Sequence, residues 1–195
     1  MNFTDLYHTV EAAGVEPAAF ECLRAQVLQG IGWLEDVKIW RLTHKPPTRE
    51  ARYSLFDDRT SAYNEEYLVA DISYCASFED DPPELRFALT KELMHVFDAR
   101  ETWIDTRDKF VKFLKDLQNT PLDIANGSVN SEHLARWMAI LVLCPRPLRE
   151  SMKAQLANKE KLLPELAENW ALPEWLISVA IDDYYDDAFQ VLIQT

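Results

Sequence analysis

Residues 85–99 read LRFALTKELMHVFDA, and this stretch sets the centre of the fold. At 100° per residue Lys91, His95 and Asp98 fall within about 60° of one another, and Glu84 joins their face. Leu89, Leu93, Val96 and Phe97 occupy the opposite side. The spacing predicts a helix from Pro83 to Ala99, started by the acids and prolines of FEDDPPE, residues 78–84, which suit a helix N-terminus. An ionisable stripe on an amphipathic helix is ordinarily a solvated face.

Upstream of this helix the pattern is alternating and rich in β-branched and aromatic residues over Val37–Leu42, Arg52–Phe56 and Tyr67–Tyr74. These read as three strands of a small antiparallel sheet packed on the central helix. HKPPTRE, residues 44–50, reads as an exposed loop because Pro46 and Pro47 cannot pair. Helical periodicity recurs at 3–13 and 17–29, and downstream at Phe110–Leu117 and Glu132–Leu143, with the loop NTPLDIANGSVN at 119–130 between the last two. From Pro147 onward the chain reads as helix broken near Pro164 and Pro173, and the terminal FQVLIQT as a short strand or a cover for the sheet. Helices, sheet, helices is an α+β order.

The chain has 195 residues, 48% of them hydrophobic, enough for one folded domain with a substantial core. Its net charge of −13 repels phosphate backbones and anionic lipid heads, so direct nucleic-acid and membrane binding are not expected. The longest apolar run, Trp137–Cys144, is far shorter than the roughly 20 residues a membrane span needs. MNFTDLYHTVEAAG has neither a basic start nor an apolar core of the export type, so a cytoplasmic location is expected. Cys22, Cys75 and Cys144 are widely spaced and read as buried reduced thiols.

Lys91-Glu92-x-x-His95 is the pattern H-E-x-x-H with Lys in the first position. In that pattern two His at i and i+4 ligate Zn²⁺ from one helical face, and the Glu between them acts as general base on the bound water. RFALTKELMHVFD resembles the segment R-F-T-L-A-H-E-L-G-H of the ImmA/IrrE-type metallopeptidase family, with Arg86, Phe87, Leu89, Glu92, Leu93 and His95 in register. Residues 132–145, EHLARWMAILVLCP, resemble that family's E-x-x-A-N-x-F-A-x-x-L-L-M-P helix through Glu132, Ala135, Ala139, Leu143 and Pro145. LAENWALPEWLISVAI, residues 166–181, looks like its downstream helical hairpin. The resemblance implies a zincin-like fold with a helical extension over 1–34, a core over 35–145, and a helical hairpin and acidic tail over 146–195. It also implies Glu132 as the third metal ligand, and a regulatory setting beside a helix-turn-helix repressor, often in phage or mobile elements.

Two positions depart from the family. Lys91 offers three donors and no lone pair, so it cannot ligate zinc at neutral pH. Met94 places a long side chain where the family keeps Gly, which is expected to crowd access to the site. The reading that follows is a catalytically degenerate, partner-binding pseudo-peptidase. No cofactor is expected, and the Lys91 ammonium takes the space of the missing cation against Glu92 and Glu132. The alternative is an active metal-dependent peptidase with zinc or another divalent ion on His95, Glu132 and Asp98, and Glu92 as general base. One imidazole and two carboxylates suit iron or manganese better than zinc. A basic helix-turn-helix regulator is the partner this implies.

Other chemistries lack their residues. His8, His44 and His133 stand in scattered contexts without a nucleophile signature, and His133 reads as a helix-surface residue. Four Gly leave no phosphate cradle. Residues 162–195 contain seven acids and no Lys or Arg, which excludes DNA reading by their hairpin. IDDYYDDAF, residues 181–189, reads as a solvated acidic face, with docking to a basic partner as the alternative. Trp170 and Trp175 read as packing residues of the hairpin.

Overall fold

Asp81 accepts a hydrogen bond from the Glu84 backbone N–H, and Pro82 and Pro83 occupy the first positions of the helix that follows, as the acids and prolines of FEDDPPE predict. In the computed structural model, which describes residues 1–43, 50–57, 68–98 and 127–194, this helix is Pro82–Met94. The predicted helix Phe110–Leu117, loop residues 44–49 and most of the loop before Glu132 lie outside the described residues.

The elements are α1 (Phe3–Ala13), α2 (Phe20–Gly30), β1 (Leu34–Leu42), β2 (Ala51–Asp57), β3 (Leu68–Cys75) and α3 (Pro82–Met94). They continue with α4 (Gly127–Leu143), α5 (Arg146–Ala157), α6 (Leu163–Trp170), α7 (Glu174–Ile181) and α8 (Tyr184–Ile193). Short 3₁₀ turns, Ala76–Asp80 and His95–Phe97, flank α3. The class is α+β. Among the described residues no helix is long and apolar enough to cross a membrane.

The sheet is mixed, correcting the expected all-antiparallel meander. Its order is β1-β3-β2, with β3 parallel to β1 and antiparallel to β2. The central strand is the one that buries residues on both faces, Val69 and Ala70 among them. Alternation sets which side chain faces the core, but it does not specify which strand lies alongside.

Behind the sheet runs α4. Every residue from Met138 to Cys144 is at most 4% exposed, so the longest apolar run of the sequence is the axis of the core. A helix apolar on all sides is a buried helix, and each fully buried Leu, Ile or Val contributes about 1.5–3 kcal/mol. Phe3, Leu6 and Tyr7 of α1, Leu23 and Val27 of α2, and Leu176, Tyr185 and Phe189 near the C-terminus share that core with the sheet. The terminal segment is neither strand nor sheet cover. It is α8, packed edge-on through Phe189 against Tyr7 at 5.4 Å. Within the acidic IDDYYDDAF stretch Tyr185 is buried, Asp182, Asp183 and Asp187 are exposed, and Asp186 accepts from Arg149.

Arg86 ties three segments together. Its guanidinium donates to the carbonyls of Pro17, Ala18 and Trp170, fixing α3 between the start of α2 and the end of α6. Trp175 packs edge-on against Phe87 at 4.7 Å. Cys75 and Cys144 are buried as expected, whereas Cys22 is exposed, because it lies on the outer side of α2 while Leu23 takes the inner one.

Candidate functional site

The ionisable stripe of α3 is not a solvated face. Glu92 is 4% and His95 6% exposed, because β2 and the start of α4 close over them. The predicted helix stops early. The His95 N–H is shared between the Glu92 and Leu93 carbonyls, the chain tightens into a 3₁₀ turn, and Asp98 is extended. Asp98 nevertheless reaches back, its Oδ2 lying 2.8 Å from His95 Nδ1. Ser131 donates to the same oxygen at 2.5 Å and lies 3.3 Å from the same ring nitrogen.

The other edge of the imidazole faces the acids. His95 Nε2 lies 3.4 Å from Glu132 Oε1 and 3.9 Å from Glu92 Oε2. Lys91 Nζ sits 2.8 Å from Glu92 Oε1 and 2.6 Å from Glu132 Oε2, bridging the two carboxylates. Thus α3 and α4, 36 residues apart between His95 and Ser131, meet through Lys91, Glu92, His95 and Glu132. Asp98 completes the group from the opposite side of the ring. Glu84 does not join it: its carboxylate accepts from the Trp175 indole N–H two turns away. Met94, expected to crowd the site, is fully buried in the main core instead. His133 is exposed.

Two members had no sequence signal pointing to them. Tyr53 of β2 lies with its ring 5.7 Å from that of His95, and its buried hydroxyl has no hydrogen-bond partner among the described residues. Burial raises its pKa above the ordinary phenol value, and the nearby Asp98 charge adds to this. Ser131 immediately precedes Glu132, and only the turn of α4 shows that it points at Asp98.

Charge is balanced inside the cluster. Burial lowers the His95 pKa, but hydrogen bonds to Asp98 and Glu132 outweigh it and raise the imidazole to about 9. Burial likewise lowers Lys91, and attraction to Glu92 and Glu132 outweighs it in the upward direction. For Glu132 burial is the largest influence upward, and His95 and Lys91 overcome it, holding the carboxyl down at about 2. Glu92 is the exception: burial dominates and leaves its pKa raised despite Lys91.

Lys91 stands where the resembling family has its first His, and an ammonium offers a metal no lone pair. Asp98 and Glu132 sit at opposite nitrogens of one ring, so they cannot share an ion held through His95. Among the described residues no group of three His, Cys, Asp or Glu side chains is arranged to hold a metal ion. The arrangement is two cations interleaved with three carboxylates, a network that holds α3 to α4. No family model, curated protein or solved structure matches this chain.

Proposed function

We propose that this chain is a catalytically degenerate relative of the ImmA/IrrE-type metallopeptidases that acts in regulation by binding a protein partner. The observation that carries this reading is the Lys91 ammonium, held by both Glu92 and Glu132 where the resembling family holds its cation. A metal neutralises the buried carboxylates of such a site, and its loss would strand them at several kcal/mol. A lysine at i, beside the Glu at i+1 and one turn before the His at i+4, neutralises them covalently. The partner in this proposal is a basic helix-turn-helix regulator of the kind encoded beside family members in phage or mobile elements. The chain's −13 charge complements a DNA-binding surface.

The test is metal content by mass spectrometry on protein purified without chelator, measured beside Lys91→His. Metal-free wild type with near-stoichiometric zinc in Lys91→His is the expected result. Stoichiometric metal in the wild type would sink the degenerate-site reading in favour of a variant peptidase with Glu92 as base. Co-purification with a co-expressed helix-turn-helix regulator from the same locus tests the partner, and its absence would count against that part.

A further inference from the structure

Before α4 enters the core it presents a stripe to the outside. His133, Arg136 and Trp137 stand at i, i+3 and i+4 and so share one side of the helix. Against that side lie Ser178 and Val179 of α7, with Tyr184 at the start of α8. Between them is a recess of about 350 Å³.

The lining is divided chemically. Trp137 and Val179 are half-buried and supply an apolar wall. Arg136 stands over the Trp175 ring, 4.9 Å from its centroid, and Trp175 is itself bonded to Glu84 and packed on Phe87. A cation over an indole is held by its charge and not by hydrogen bonds, so this contact fixes the guanidinium and leaves its N–H groups unspent. Among the described residues they bond no carboxylate and no carbonyl. His133, Ser178 and Tyr184 are exposed and bring further polar groups to the mouth. The acid in the lining, Asp182, turns one oxygen to the Tyr184 backbone N–H at 3.1 Å.

A recess of this volume lies at the small end of ligand sites and admits a ring system rather than a helix. A planar guanidinium pairs with a carboxylate through two parallel hydrogen bonds, and the indole wall favours a flat apolar body. The −13 charge of the chain and the neighbouring Asp182 oppose a second negative charge on the ligand. We infer that this recess binds a small flat monoanion, an aromatic carboxylate whose ring lies along Trp137 and Val179 and whose carboxylate meets Arg136. The site uses none of the Lys91 cluster and needs no metal, so it goes beyond the partner-binding reading and fails or stands apart from it.

The probe is 2-naphthoate, titrated into the full chain by calorimetry beside its neutral isostere 2-naphthamide and the dianion 2-naphthyl phosphate. 2-Naphthoate is expected to bind with a Kd of about 1 mM or tighter, and the amide about tenfold or more weaker. Arg136→Gln should weaken 2-naphthoate about tenfold or more. Lys38→Gln makes the same charge change at an exposed position on β1 and should weaken it less than about twofold. Ser178→Phe fills the recess from the exposed side of α7 without altering Arg136, and should abolish binding while the melting temperature holds. Equal weakening by Arg136→Gln and Lys38→Gln would reduce the binding to the general field of the chain and overturn the assignment. Equal binding of acid and amide, binding that survives Ser178→Phe, or no binding of 2-naphthoate to the wild type would each overturn it as well. Tighter binding of 2-naphthyl phosphate would refute the choice of a monoanion.

Discussion

Replacing Lys91 by Met removes the ammonium that bridges Glu92 and Glu132 while keeping most of the side-chain volume. The Lys91 side chain is 20%, that of Glu92 5% and that of Glu132 45% exposed, so one of the two acids is stranded in the interior and the other at its edge. Breaking a fully buried pair from one side costs about 3–5 kcal/mol. The half-exposure of Glu132 and the ability of Glu92 to take up a proton reduce this to about 2–3 kcal/mol. In a chain of this size that is about 5–10 °C in Tm, read by calorimetry or circular dichroism. The loss carries a pH signature. Burial already raises the Glu92 pKa, and without Lys91 it rises further, so the penalty is present above that folded pKa and fades as pH falls towards the ordinary carboxylate value. Lys91→Met therefore loses more stability at pH 8 than at pH 5.5. Adding Glu92→Gln removes the stranded charge and recovers about 1–2 kcal/mol in a double-mutant cycle. A Lys91→Met protein that melts with the wild type at pH 8, or whose deficit is the same at both pH values, would refute the buried-pair account.

His95 has a folded pKa of about 9, above its ordinary value, so its contribution is fully present below about pH 6.5 and disappears as pH rises through 9. Wild-type stability should fall by about 2–3 kcal/mol across that window, and His95→Asn should flatten the curve; an unchanged slope in the variant would contradict the assignment. Ala171 ends α6 with φ 48° and ψ 50°, a left-handed conformation that costs a Cβ-bearing residue. Ala171→Gly should stabilise by about 0.5–1 kcal/mol in urea unfolding, and a loss there would show that the methyl group matters more than the strain. A thiol reagent should modify one cysteine, the exposed Cys22, in the native protein and three after unfolding, because Cys75 is buried and burial pushes Cys144 up to about 12. Two fast-reacting thiols in the native state would contradict this burial.

Much of the site was legible because the spacing within a helix is local. Lys91, Glu92 and His95 are neighbours on any helix drawn through residues 85–95, and Glu132 was singled out by its own segment. Asp98 was placed on the right face for an incomplete reason: the helix ends before it, and its carboxylate returns to His95 through a tight turn and the Ser131 hydroxyl. Tyr53 was invisible, since it lies on a strand 42 residues before His95 and nothing in RYSLF distinguishes a tyrosine aimed at a site from one in the sheet. The terminal FQVLIQT misled because a short apolar run fits strand and helix equally, and packing of Phe189 on Tyr7 decided for helix.

By itself the sequence determined where the long helices run and how they begin. It also determined that the core would be built around Trp137–Cys144 and that the surface would be strongly acidic. These depend on residues a few positions apart and on composition. Only the tertiary structure decided that β3 lies between β1 and β2, that the charged stripe of α3 is buried, and that Tyr53 lies beside His95. The physical reason is that periodicity records which side of an element is apolar, whereas partner order and burial of charge depend on contacts between distant segments. A lysine among acids reads as a solvated surface in the chain, and it becomes an interior ion-pair centre only when α4 is laid across it.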